Sequence, residues 1–197
     1  MPKIVDHQAR KEKIAEAMWQ VVLEQGMEGA TVRNIAKQAG LSLGALRYYF
    51  KSQDDLLIFG MNLVKERAGA RMAKGLQLDL PLKEKIIALL LEFVPTNEEK
   101  RAEAEVWFAF TAYMQPRKKD FELEPDGILP GMHYVIQNLQ EAQLLREGLD
   151  VPIEVERLYA LIDGLALHIL MDPDRLDPQK VEQTIRYHVD SICRITE

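Results

Sequence analysis

The residues able to do chemistry are few and mostly far apart. The four histidines, His7, His133, His168 and His188, are scattered, with no HExxH pair and no His–Cys cluster at metal-ligand spacing. Cys193 is the one cysteine, and no candidate base stands beside it, so a catalytic thiol is not expected. Glu103 and Glu105 lie two apart, on different faces of a helix. That is poor placement for paired acid–base work, and they read as a solvated face. There is no glycine-rich phosphate loop. No enzyme activity, cofactor or metal is expected. What remains is "LSLGALRYYF", residues 41–50, where an arginine and two tyrosines stand in a row. These groups suit recognition better than reaction. An arginine can donate two hydrogen bonds to a guanine edge, and an apolar or aromatic side chain can lie against a thymine methyl.

Recognition needs an element that holds those groups out, and the flanking sequence supplies one. A helix–turn–helix packs two short helices steeply across a tight turn. It needs a small residue at the close approach, a glycine in the turn and apolar residues inward. Ala36, Gly40 and the turn plug Leu41 fill the first slots. Ile35 and Ala39 face inward from the first helix, and Leu46 with Phe50 (or Tyr49) from the second. Thr31 and Ser42 are placed to cap the two helices. With Leu46 and Phe50 inward, helical geometry aims Leu43, Gly44, Arg47, Tyr48 and Lys51 outward. A helix of this diameter fits the major groove of B-DNA. Gly44 would let the helix backbone come close. Thr31, Ser42, Tyr49 and Lys51 are placed for phosphates, and Arg33 joins the same DNA-binding set. Tyr49 is the ambiguous member, part core and part phosphate contact.

Helix signals fill the rest of the chain, and strand alternation is nearly absent. Asp6 caps a first helix that runs to about Gln25 and ends at Gly26. Ser52 and Asp55 form a capping-box pattern before a long fourth helix to about Lys74. Pro81 takes the first position of a fifth helix through Phe93. Thr96 or Asn97 starts a sixth, and residues 115–131, rich in proline and glycine, form a connection. A seventh helix covers Met132–Arg146, an eighth Ile153–Met171 and a ninth runs from about Pro178 to Ile195. The expected fold is all-α, about nine helices: an N-terminal helix–turn–helix domain at 1–52 and a larger helical domain at 53–197.

Charge divides along the same line. The chain carries −6 overall, yet residues 1–51 hold eight Lys/Arg against five Asp/Glu, a net +3. A basic head on an acidic body places any polyanion at the head. The 197 residues and 47 % apolar content allow a sizeable core without disulfides. A single cysteine and an N-terminus without an apolar signal region fit a reducing cytoplasm, and no apolar run reaches membrane-spanning length.

Residues about 8–60, through "GMEGATVRNIAKQAGLSLGALRYYFKSQDDLL", resemble the N-terminal domain of the TetR family of bacterial transcriptional regulators. "LYALIDGLALHIL" and "DPQKVEQTIRYHVDSI" resemble the BetI-type subgroup. Many members have tyrosine where this chain has Arg47 and lysine where it has Gln53, which implies its own operator sequence and one phosphate contact fewer. The resemblance implies a homodimeric repressor on double-stranded operator DNA, released when a small effector binds the C-terminal domain. Met61, Trp107, Phe108, Phe110, Tyr113, Met114, Met132, His133 and Tyr134 lie on helices that surround the effector cavity in this family. Such a set favours a hydrophobic or aromatic effector. Leu158, Leu161, Leu165, His168, Thr184, Tyr187, His188 and Ser191 lie on the two helices that the family pairs between subunits. The alternative expectation is a helical ligand-binding or adaptor protein that does not read DNA.

Overall fold

In a computed structural model, the described residues are 6–115 and 127–194. Among them the chain forms α1 (His7–Gly29), α2 (Val32–Gln38), α3 (Leu43–Tyr49), α4 (Gln53–Leu76), α5 (Leu82–Leu90), α6 (Glu98–Met114), α7 (Ile128–Glu141), α8 (Val151–Met171) and α9 (Pro178–Ile192). There is no strand among the described residues, only an isolated bridge between Leu145 and Cys193. The all-α expectation holds. No described helix is long and apolar enough to cross a membrane.

The caps sit where the side chains demand them. The Asp6 carboxylate accepts from the amides of Gln8 and Ala9, both at 3.1 Å. The Thr31 hydroxyl accepts from Asn34 N–H at 3.2 Å, and Ser42 from Ala45 N–H at 3.1 Å. Ser52 and Asp55 close a reciprocal capping box, with bonds of 3.1 and 3.0 Å.

Several boundaries move for local reasons. Gly26 takes φ +69°, which interrupts α1, but a further turn carries the helix on to Gly29. Pro81 is the residue before α5 rather than its first helical position. The seventh helix is displaced towards the N-terminus. It begins at Ile128 after Gly127 at φ +79°, with Pro130 in the first turn, where a missing N–H costs nothing. It ends at Glu141, because Gln143 turns to φ +58° and Leu145 then bridges to Cys193. Likewise α9 ends at Ile192, not Ile195. Of the connection expected at 115–131, residues 116–126 lie outside the described residues. Glu103 is 4 % exposed, so the solvated reading of that carboxylate is wrong, while Glu105 is exposed.

Packing separates two compact units. The first takes the described residues within Met1–Arg67 and Ala102–Leu123; the second those within Ala68–Arg101 and Glu124–Glu197. The division falls inside α4 and α6. In the first unit, Ile14, Met18, Ile35, Leu46, Leu56 and Leu57 are fully buried in one cluster, which Val106, Phe110 and Met114 complete. Helix α1 comes so near α4 that a Cβ on Gly60 would lie 2.2 Å from the Met18 methyl. In the second unit α5, α7, α8 and α9 enclose a cluster around Ile86, Leu90, Met132, Leu139, Leu158 and Val189.

Leu46 is 0 % exposed and is the one fully buried side chain of α3. Leu46→Ala should therefore cost about 2–5 kcal/mol in urea unfolding, whereas Ser42→Ala should cost about 1 kcal/mol through its lost cap. Equal, small effects from both would show that Leu46 does not anchor the helix.

Candidate nucleic-acid interface

From Thr31 to Lys51 the chain carries Arg33, Lys37, Arg47 and Lys51 and no carboxylate. That one-sided charge is laid on a short, tightly turned scaffold. Gly40 makes the turn at φ +64°. Leu41 N–H then donates to Ala36 O at 2.8 Å and Gly40 N–H to Lys37 O at 3.1 Å, which ties α3 close behind α2. Ala36 is 3 % exposed at this approach.

With Leu46 inward, the opposite face of α3 is open. Leu43 is 37 % exposed and Tyr48 74 %. Gly44 and Arg47 are exposed on the same helix, and Lys51 follows it, also exposed. Where a Cβ would stand on Gly44, nothing lies within 4 Å. Packing inside the protein therefore does not require glycine there. Thr31, Arg33 and Ser42 are exposed as well. Among the described residues no carboxylate pairs with Arg33, Arg47 or Lys51. The expected set thus lies together on α2, α3 and their flanks, with Tyr49 half-buried against the head core.

Three contributors were not expected from the sequence. The His7 ring sits 4.7 Å from the Tyr49 ring and 5.7 Å from the Tyr48 ring, which are themselves edge-on at 5.2 Å. The start of α1 thereby holds the aromatic end of α3. The Lys11 ammonium lies 5.5 Å over both Phe50 and Phe59. Gln53, where the resemblance implies a lysine, donates its amide to Ala30 O at 3.0 Å and so pins the start of α4 to the α1–α2 connection. Only three-dimensional proximity brings these groups together; no local spacing announces them.

The residues expected to line an effector cavity divide between the two units. In the first, Met61, Phe110 and Met114 are buried, and Trp107 and Tyr113 pack partly buried against the same cluster. Phe108 is half-buried, and Lys65 stands 5.8 Å over the Trp107 ring. In the second unit Met132 is wholly buried, whereas His133 and Tyr134 are exposed.

The residues expected at a subunit interface also separate. Leu158 and Leu165 are buried in their own unit's core. Leu161, His188 and Ser191 are half-buried; His168, Thr184 and Tyr187 are exposed, Tyr187 to 78 %. The hydroxyls of Thr184 and Ser191 bond back to Lys180 O and His188 O, both at 2.7 Å. Ile153, Leu167 and Met171 are exposed apolar side chains on α8 that sequence reading did not separate from the core, because α8 is apolar on nearly every side.

Burial pushes the His188 imidazole below its ordinary range; repulsion from Arg157 adds to this and attraction from Glu154 opposes it. Its Nε2 is buried without a hydrogen-bond partner, as is Glu154 Oε2, while Glu154 Oε1 accepts from Arg157 at 2.6 Å. The sign follows. Above about pH 6.5 His188 is neutral folded and unfolded. Below that, the unfolded chain takes a proton that the folded one resists, so stability falls as pH drops. His188→Leu should flatten the decline in Tm below about pH 6.5. An unchanged slope would exclude His188 as a source of acid sensitivity.

The chain matches two family models. One, described as "Bacterial regulatory proteins, tetR family", covers residues 14–58. The other, "BetI-type transcriptional repressor, C-terminal", covers residues 82–194. The chain is 54 % identical over 193 residues to the HTH-type transcriptional regulator PksA of Bacillus subtilis, spanning 98 % of this chain and 94 % of that protein. It is 24 % identical to the HTH-type transcriptional regulator BetI of Vibrio campbellii over 96 % of this chain and 95 % of that one. Among solved structures, a transcriptional regulator from Rhodococcus sp. Rha1 superposes with TM-score 0.73 at 26 % identity, covering 95 % of this chain and 99 % of the other. A regulator from Saccharomonospora viridis, solved in complex with choline, superposes with TM-score 0.81 at 23 % identity over 95 % of this chain and 99 % of that one, and shares the fold.

Proposed function

The chain belongs to the TetR family of bacterial regulatory proteins and is a transcriptional regulator with a helix–turn–helix head, and from that premise we propose that it is a repressor, working as a homodimer that a small effector releases from operator DNA. The observation that carries the reading is the free face of α3: Leu43, Gly44, Arg47 and Tyr48 exposed opposite a buried Leu46. Arg47 donates two hydrogen bonds to a guanine in the major groove, and Leu43 or Tyr48 lies against a thymine methyl. Thr31, Arg33, Ser42, Tyr49 and Lys51 position the head on phosphates. One head reads one half-site, so two copies set two α3 helices about 34 Å apart in successive major grooves. The exposed Leu167, Met171 and Tyr187, with Leu161, His168 and Thr184, supply the surface by which α8 and α9 meet their copies.

The functional division we propose, a reading head at 1–52 and an effector and dimerisation body at 53–197, cuts across the packing units, because α4 belongs to both. That continuity suits α4 to carry an effector's influence to the head. An effector does this only if it binds the released state more tightly than the DNA-bound one. A small-molecule complex among proteins of the same fold supports the effector step, and half-buried Trp107, Phe108 and Tyr113 favour a hydrophobic or aromatic ligand.

The test is fluorescence anisotropy on labelled operator-bearing DNA at several salt concentrations. Lys51→Ala should weaken binding evenly across sequences and reduce the magnitude of the log–log salt slope by about 0.9 for each phosphate the protein no longer neutralises. Arg47→Ala should cost about 1–3 kcal/mol on the preferred site and relax discrimination at one base position per half-site. Binding that is indifferent to both substitutions would reject the reading.

A further inference from the structure

The second compact unit contains a cavity of about 270 Å³, walled by the end of α4, by α5 and by α7. Its apolar lining is mostly aliphatic, with the one aromatic Tyr134. Ile86 and Leu89 are buried and form the floor, while Leu76 and Leu82 stand partly open beside them. The connection from Leu76 to Leu82 carries two more exposed leucines, Leu78 and Leu80.

Into this aliphatic wall comes one charge. Lys85 lines the cavity and is half-buried. Its neighbours are already engaged: Lys83 pairs with Asp190, and Glu84 accepts from Arg186 at 2.7 Å. Among the described residues no carboxylate pairs with the Lys85 ammonium. Lys85 is the one charged residue among those that line the cavity. Tyr134, exposed, lies on the same wall. Asn138 spends its amide N–H on Tyr134 O at 2.7 Å and adds no charge.

We propose that this cavity binds an amphiphilic monocarboxylate, with its aliphatic chain on Leu76, Leu82, Ile86 and Leu89 and its carboxylate on Lys85. A single cation matches a monoanion, and the volume lies just under the range of pockets that hold drug-sized ligands, which suits a medium-length chain. The site needs no DNA and stands apart from the operator-release reading.

Isothermal titration calorimetry of the DNA-free full chain tests it, with hexanoate, octanoate, decanoate and the neutral octanol as probes. Each pair of added methylenes held in the cavity should tighten binding about fifteenfold, from roughly fourfold per methylene. Octanoate should bind roughly tenfold more tightly than octanol, the lower end for a hydrogen bond to a charged group. Lys85→Met should bring octanoate down to the level of octanol and leave octanol unchanged. Leu82→Gln should weaken both. Equal binding of acid and alcohol, an acid preference that survives Lys85→Met, affinity independent of chain length, or no binding at all would overturn the proposal.

Discussion

Seven helical residues close too few backbone hydrogen bonds to persist in water alone, so α3 exists because the head around it holds it. Leu46 and Phe50 are sunk in the first unit's core, Ser42 caps the helix start and the Ala36–Gly40–Leu41 turn fixes where it begins. Anchoring one side leaves the other bare. The anchors lie four apart, so the free face is settled by helical geometry: Leu43, Gly44, Arg47 and Tyr48. His7 against the two tyrosines then joins α3 to the start of α1, and Gln53 on Ala30 O joins the start of α4 to the α1–α2 connection. Movement of the start of α1 thus reaches the aromatic end of α3 directly.

Buried polarity in the second unit follows the usual rule that charge must be answered. Lys100, 9 % exposed, gives its ammonium to Glu92 at 2.8 Å and to Leu91 O at 3.1 Å, and Arg71 donates to the same Glu92 at 3.1 Å. Glu154 and His188 break the rule, each with one buried atom unanswered, and they do so on α8 and α9. The unit thus keeps its unmet polar demand on the same two helices that carry exposed Leu167, Met171 and Tyr187.

The head is legible in sequence because its demands are local. Caps at Thr31 and Ser42, the small Ala36 and the turn glycine Gly40 each answer a requirement that a few residues define. Gly26 reads as a stop, yet one more turn follows it. The displacement of α7 has a different cause: its end depends on Leu145 meeting Cys193, a pairing between distant parts of the chain. Buried and exposed positions cannot be told apart by pattern on α8, where Leu158 and Leu165 are buried while Ile153, Leu167 and Met171 stand exposed. The aromatic set expected at a cavity divides between two packing units, because its α7 members pack with the second unit and those on α4 and α6 with the first, which pattern along the chain does not show. Lys85 and its leucines give no signal in sequence, since three elements are needed to build that wall.

The central claim is that α3 reads base edges in the major groove through Arg47. Methylation interference with dimethyl sulfate tests it most directly, because guanine N7 lies in that groove. Premethylated operator should lose binding at guanines in two clusters about one helical turn apart, and Arg47→Ala should abolish interference at one guanine in each cluster. Binding that tolerates N7 methylation throughout the operator would contradict the account.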